Sequence, residues 1–291
     1  MYKQIAANKR KTAVLIFFFI TLIGAIGWAI GAYFEMGYST VVWALVIAVI
    51  LSLFSFYSGD KVALATAGAH RVSKEQNPYV YRLVENLCIT AGLAMPKIHI
   101  INDPAPNAFA TGRDPKHASI ALTSGLIEQL ENEELEGVIA HELSHIKNYD
   151  IRLMTIVIIC VGLITLLADI FLRGSLFGGG RRKEGGNILA IIGLVLIILS
   201  PIFARLIQSA VSRKREFLAD ASGALLTRYP EGLARALEKI AQYNKPIRRP
   251  NNATAHLYFF SPFGLKKKGF SRAFSTHPPT AERIKALRAM A

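Results

Sequence analysis

The sequence predicts an α+β domain, mainly helical, mounted on four apolar membrane helices. Three observations lead there. Runs of 20 or more residues with no charge or a single one recur four times, each long enough to cover the roughly 30 Å hydrocarbon core at about 1.5 Å of rise per residue. The polar remainder falls in two pieces, residues 60–152 and 205–291, which together suffice for one substantial core. Composition agrees: of 291 residues 52% are hydrophobic and 19% charged, against roughly 25% charged in soluble domains. A mean hydropathy of +0.34 excludes a disordered chain and argues against a purely soluble one.

Residues 1–59 read as a transmembrane hairpin. Thr12–Phe34 and Met36–Gly59 carry no charge, and only Glu35 separates them. The first run is too long, and leads too directly into the second, for a cleavable signal peptide. Lys3, Lys9, Arg10 and Lys11 precede it with no acid among them. That asymmetry places the N-terminus in the cytoplasm, and two crossings return the chain there. Residues 153–204 form a second apolar hairpin, from Leu153–Leu172, which contains Asp169, and Gly185–Ala204. The link between these runs carries Arg173, Arg181, Arg182 and Lys183, so a full crossing would put positive charge outside and conflict with the charge rule.

The first polar piece opens with a helical period at Val80, Leu83, Val84, Leu87 and Cys88, ended by Gly92 and Pro96. Lys97–Ile101 reads as a strand, residues 102–107 as a turn and Ala118–Thr123 as a second strand, placed at the sheet edge. A helix begins at Ser124. Another follows with Asn132 as its N-cap and Glu133, Glu134 and Glu136 in its first turns. The second piece reads as helices over 205–227, 230–243 and 280–290.

The excess of 34 Lys+Arg over 20 Asp+Glu, net +14, suits nucleic acid or an anionic leaflet. Lys266–Lys268 with Phe259, Phe260, Phe263 and Phe270 reads as a basic, aromatic loop at the membrane surface, with no nucleic acid as partner. Two distant cysteines, Cys88 and Cys160, build neither a disulfide framework nor a thiolate metal site. His70, His99, His117 and His256 have no partners at ligand spacing and receive no role.

The chemistry lies after Asn132, where residues 141–145 read His-Glu-Leu-Ser-His. On a helix, His141 and His145 stand one turn apart on one face, so both imidazoles reach a single ion. Glu142 projects beside that face, placed to take a proton from water without being a ligand. A catalytic zinc needs a third protein ligand, and the long form of the motif fails here, because Asn148 and Ile151 stand where it needs glycine and histidine. A downstream carboxylate is the simplest source. Asp150 lies too near on the same helix, and Asp169 and Glu184 belong to the apolar hairpin or its link. Glu216 lies in Glu-Phe-Leu-Ala-Asp, with Asp220 four residues on and so on the same helical face. One carboxylate of such a pair can bind metal while the other accepts the N–H of a ligand histidine.

Four stretches resemble those of the HtpX-type membrane zinc metallopeptidases, relatives of the endopeptidases that process isoprenylated CAAX proteins. They are Asn107-Ala-Phe-Ala-Thr-Gly112, His141 to Asp150, Arg215-Glu-Phe-Leu-Ala-Asp220, and Thr276-His-Pro-Pro279 followed by Arg283. The resemblance implies a zincin-like domain holding one Zn²⁺ per chain on His141, His145 and Glu216. It implies Glu142 as general base and points to His277 and Arg283 as groups near the substrate carbonyl. Asn107 is expected to contact the substrate backbone and Asp220 to support a ligand histidine. Tyr149 replaces an expected glycine, a change read as one of packing. The implied function is hydrolysis of membrane proteins or unfolded polypeptides in quality control at the cytoplasmic (inner) membrane, with the zinc domain in the cytoplasm. Prenyl-protein processing and a non-enzymatic membrane scaffold or transporter are the competing readings. The sequence assigns no oligomeric state.

Overall fold

The computed structural model describes residues 2–177, 191, 195, 213–243, 245–250, 254–264 and 278–290. Helices α1 (Tyr2–Tyr33) and α2 (Ser39–Ala67) form the predicted first hairpin. Among the described residues these are the two helices long and apolar enough to cross a membrane, and only 22% and 17% of their most apolar stretches are buried. A core helix of a soluble protein would be mostly covered. Instead Phe17, Trp28, Trp43 and Ile50 stand exposed, an apolar band far larger than a water-facing surface tolerates. Helix α2 runs past Gly59 through Asp60 and Lys61 to Ala67, so hairpin and polar region share one continuous rod.

Four strands follow the rod and the helix behind it: β1 (Ala69–Arg71), β2 (Lys97–Ile101), β3 (Ala108–Gly112) and β4 (Ala118–Thr123). Between β1 and β2 lies α3 (Pro78–Ala91), where Asn77 caps the N-terminus and Gly92, at φ 65°, turns the chain away. The sheet order is β1-β2-β4-β3, with β2 and β4 parallel and the outer pairs antiparallel. This corrects the expectation that Ala118–Thr123 is an edge strand. It is internal, flanked on both sides, and all six of its residues are buried. The edge strands are β1 and β3, and β3 is also buried throughout. A strand covered on both faces loses the polar alternation that marks strands in sequence.

After the short α4 (Ser124–Gln129) comes α5 (Asn132–Lys147). Its N-cap is Glu131, one residue before the expected Asn132, in a capping box where the Glu131 backbone N–H donates to Glu134 Oε2 at 2.9 Å. Helices α6 (Asp150–Phe177), α7 (Arg213–Thr227), α8 (Pro230–Tyr243) and α9 (Thr280–Arg288) follow. Leu135, Val138, Ile139, Leu143 and Ile146 of α5 sit in the main core with Leu233 and Leu237 of α8 and Leu287 of α9. The helix that carries the motif is therefore buried along most of its length. Helix α6 covers the first run of the second hairpin and packs Ile156, Cys160 and Ile164 against Phe19, Ile23 and Ala48 of α1 and α2. The second run, Gly185–Ala204, lies almost wholly outside the described residues, as does most of its basic link.

Candidate metal centre

Every residue of the His-Glu-Leu-Ser-His stretch is buried. His141 and His145 turn their Nε2 atoms towards each other, 3.1 Å apart, and Glu216 Oε1 lies 3.5 Å from His145 Nε2. One ligand atom from each of the three falls within 4.8 Å of the others. Helix α7 delivers Glu216 because it approaches α5 closely. Gly223 stands two turns beyond Glu216, and a methyl group built on it would come within 3.0 Å of the His141 backbone nitrogen.

Each histidine is oriented from behind by a buried carboxylate. Asp220 Oδ1 lies 2.8 Å from His141 Nδ1, and Asp150 Oδ2 lies 3.0 Å from His145 Nδ1. With both Nδ1 atoms so engaged, both Nε2 lone pairs face one point, as ligation requires. Asp220 is in turn gripped by Arg283, whose Nε and Nη2 donate at 2.8 and 2.7 Å. Arg283 is 2% exposed and stacks on Phe259, with its guanidinium carbon 4.7 Å from the ring centre. The expectation that Arg283 stands by the substrate carbonyl therefore meets a guanidinium turned onto Asp220 instead.

Burial sets the titration of these groups. It pulls His141 down to about 4, so that the ring is neutral and free to ligate. Burial also opposes charge on His145, but the hydrogen bond to Asp150 and the nearby Glu216 outweigh it and raise the group to about 9. A site that holds a proton so firmly is rich in negative charge, and a divalent cation would answer the same field. Burial lifts Glu142 to about 7, in the range of a group that both takes and gives a proton near neutrality. For Asp220 burial acts upwards, yet the Arg283 charge and its hydrogen bonds bring it to about 2. Two neutralisable imidazoles, a carboxylate and two orienting carboxylates behind them form a donor set suited to a tetrahedral divalent metal.

The cavity between these groups holds about 10 Å³, space for about one water. Its outer wall is His256, Leu257, Tyr258 and Phe259. That wall is pinned to the start of the edge strand: the Phe259 N–H donates to Ala108 O at 2.7 Å. Asn107 brackets Phe260, its Nδ2 donating to the Phe260 carbonyl at 2.9 Å and its Oδ1 accepting the Phe260 N–H at 3.1 Å. Phe259, read as part of a membrane-surface loop, is thus a wall residue of the site, and Phe260 is held next to it by Asn107. Phe259 also meets the His141 ring edge-on at 4.9 Å. His277 and Lys266–Lys268 lie outside the described residues.

Sequence reasoning missed four participants: Asp150, Arg215, Asn8 and His256. Asp150 was set aside as lying too near on one helix, but α5 ends at Lys147 and Tyr149 takes φ 60° before α6 begins. That reversal swings Asp150 back under His145. It also gives the missing glycine at 149 a backbone meaning, since a side chain in this region costs roughly 1–2 kcal/mol, and the Tyr149 ring accepts Lys9 and Arg152 on its faces.

A buried helix bearing His-Glu-x-x-His, with a carboxylate from a second helix on the same point, defines a metallopeptidase of the zincin kind. The comparisons agree with that class. The profile of peptidase family M48 matches residues 74–291, and the chain belongs to that family. The protein named Protease HtpX homolog from Dictyoglomus thermophilum is 46% identical over 289 residues, covering 99% of this chain and 94% of its own. That from Tropheryma whipplei (strain Twist) is 46% identical over 290 residues, covering 100% and 98%. The crystal structure of S. mikatae Ste24p superposes with a TM-score of 0.55 at 19% identity, covering 99% of this chain and 67% of that one, a likeness of fold. This chain is an HtpX-type membrane metalloprotease.

Proposed function

We propose that the chain is a zinc-dependent endopeptidase, with His141, His145 and Glu216 as ligands and Glu142 as general base, acting on membrane proteins or unfolded polypeptides in quality control. The observation that carries it is the convergence of the three ligand atoms within 4.8 Å while buried carboxylates hold both ligand rings from behind. When bound, zinc supplies Lewis-acid polarisation of the scissile carbonyl and activation of the attacking water. Glu142 takes the proton of that water and passes it to the leaving amine, a cycle suited to a carboxylate near 7. Asp220, held by Arg283, fixes the ring of His141 through its Nδ1; this makes Arg283 a positioning residue. His277 is the proposed oxyanion donor. Asn107 already pairs with a peptide backbone at two points, and the substrate backbone is proposed to take the same donor and acceptor. Peptide access then requires residues 256–260 to move aside, because 10 Å³ admits no peptide.

The exposed apolar faces of α1 and α2 support a position in the bilayer for these helices. Four spans, residues 153–204 as the second hairpin, and polar pieces 60–152 and 205–291 on the cytoplasmic side of the inner membrane complete the proposal. The fold shared with Ste24p is compatible with prenyl-protein processing. The test is hydrolysis of an unfolded polypeptide by the full chain in detergent. Hydrolysis should stop on chelation and return with stoichiometric zinc; chelator-resistant hydrolysis would end the proposal.

A further inference from the structure

The N-terminal helix reaches into the metal centre. Asn8 of α1 is 1% exposed, although its helix otherwise turns an apolar face outward. It stands four residues before the uncharged run that begins at Thr12. Its Nδ2 donates to Asp150 Oδ1 at 2.7 Å and to the Asn148 carbonyl at 2.9 Å. Its Oδ1 accepts from Arg215 Nη2 at 3.1 Å. Arg215 Nε lies 2.8 Å from that same Asp150 oxygen, while the other oxygen faces His145. One amide therefore joins three segments: the C-terminal end of α5, the first turn of α6, and α7 one residue before Glu216.

We propose that Asn8 is a positioning residue of the metal centre, by which the N-terminal membrane helix fixes the Asp150 carboxylate and, through it, the ring of His145. The chemistry favours this reading over simple packing. Asp150 is fully buried and has two oxygens to satisfy. If only Arg215 held its outer oxygen, the carboxylate could rotate about its last bond and lose the His145 N–H. The Asn8 amide adds a directed hydrogen bond to that oxygen beside the Arg215 ion pair, which fixes the plane. Its carbonyl meanwhile holds the Arg215 guanidinium, the neighbour in sequence of Glu216. A hydrophobic residue would pack at this place without doing either. Metal affinity is thereby tied to docking of the α1 foot, so the site is complete only when the N-terminal helix is seated beside α6.

The inference rests on His141, His145 and Glu216 being zinc ligands, and the experiment separates the two. Zinc affinity is measured on the purified full chain in detergent by competition with a chromophoric chelator. If the wild type binds no zinc, the ligand assignment fails, whatever Asn8 does. Given wild-type binding, Asn8→Ala should weaken zinc by roughly ten-fold or more, the usual consequence of losing a partner behind a ligand. Thr12→Ala, a buried change one turn along the same helix, should leave it within about two-fold. In an Asp150→Asn background, Asn8→Ala should cost little further, because the amide acts through that carboxylate. An unchanged affinity in Asn8→Ala, an equal loss in Thr12→Ala, or a full further loss in the Asp150→Asn background would each overturn the proposal. If Asn8→Ala is not recovered folded, Asn8→Leu, which keeps the bulk and has neither donor nor acceptor, is read by the same criteria.

Discussion

Replacing Arg283 by Met isolates the support behind His141. The side chain is 2% exposed and makes two short bonds to Asp220, itself 1% exposed. Removing one member of such a pair leaves a buried charge uncompensated, at a cost of about 3–5 kcal/mol. The titration of Asp220 gives a second route to the magnitude. Its carboxyl stands at about 2, roughly two units below the ordinary value and so worth roughly 2–3 kcal/mol. Burial opposes that shift while His141 adds to it, and the two ranges meet near ~3 kcal/mol. For a chain of this size that is a fall of roughly 6–12 °C in melting temperature, read by circular dichroism of the zinc-free chain in detergent. The sign with pH follows. A carboxyl whose folded value is depressed contributes stability that is present above about pH 4 and lost as pH falls towards about 2. Wild type should therefore lose more stability over that interval than Arg283→Met. Removing both charges, in Asp220→Leu with Arg283→Met, should be milder than removing Arg283 alone, because no orphan charge remains. A melting temperature in Arg283→Met within about 2 °C of wild type would refute the reasoning and return Arg283 to a substrate-facing assignment.

Other outcomes follow from the same geometry. Glu216→Ala should abolish stoichiometric zinc and hydrolysis together, and lower stability measured with zinc present, since a metal on these ligands would join α5 to α7; full metal content in that variant would point to Asp220 as ligand. Gly223→Val should push α7 off the His141 backbone and weaken zinc by at least ten-fold, whereas unaltered affinity would show that the close approach is not what places Glu216. Single cysteines at Ser124 and Glu231 in a Cys-free chain should react with an impermeant thiol reagent only after the cytoplasmic face is opened; labelling from outside intact cells would reverse the orientation.

The metal helix and the first hairpin were legible because their signals are local. Two histidines four apart and two uncharged runs of over 20 residues need no tertiary context. The end of helix α3 at Gly92 was legible for the same reason, its cap residue being chosen by backbone geometry. Strand β3 was not legible. Its sequence Ala-Phe-Ala-Thr-Gly alternates nothing, since sheet, α5 and α6 cover both its faces. The short β1 exists only by pairing with β2. In the site, Glu216 and Asp220 were readable from a four-residue spacing, but which neighbour each would meet was not. Asp150 was hidden by the reversal at Tyr149, whose signal was a tyrosine in a place suited to glycine. Asn8 lies 142 residues from its partner Asp150, and nothing in a polar, basic leader marks one asparagine as buried.

The central claim, that Glu142 moves the proton at a zinc held by His141, His145 and Glu216, is tested most directly by metal content and turnover measured together in Glu142→Gln. The amide keeps the shape and loses the base. The chain should retain its full zinc complement while hydrolysis of an unfolded polypeptide falls by about 10²–10⁴-fold. Wild-type turnover in a zinc-loaded Glu142→Gln chain would contradict the account.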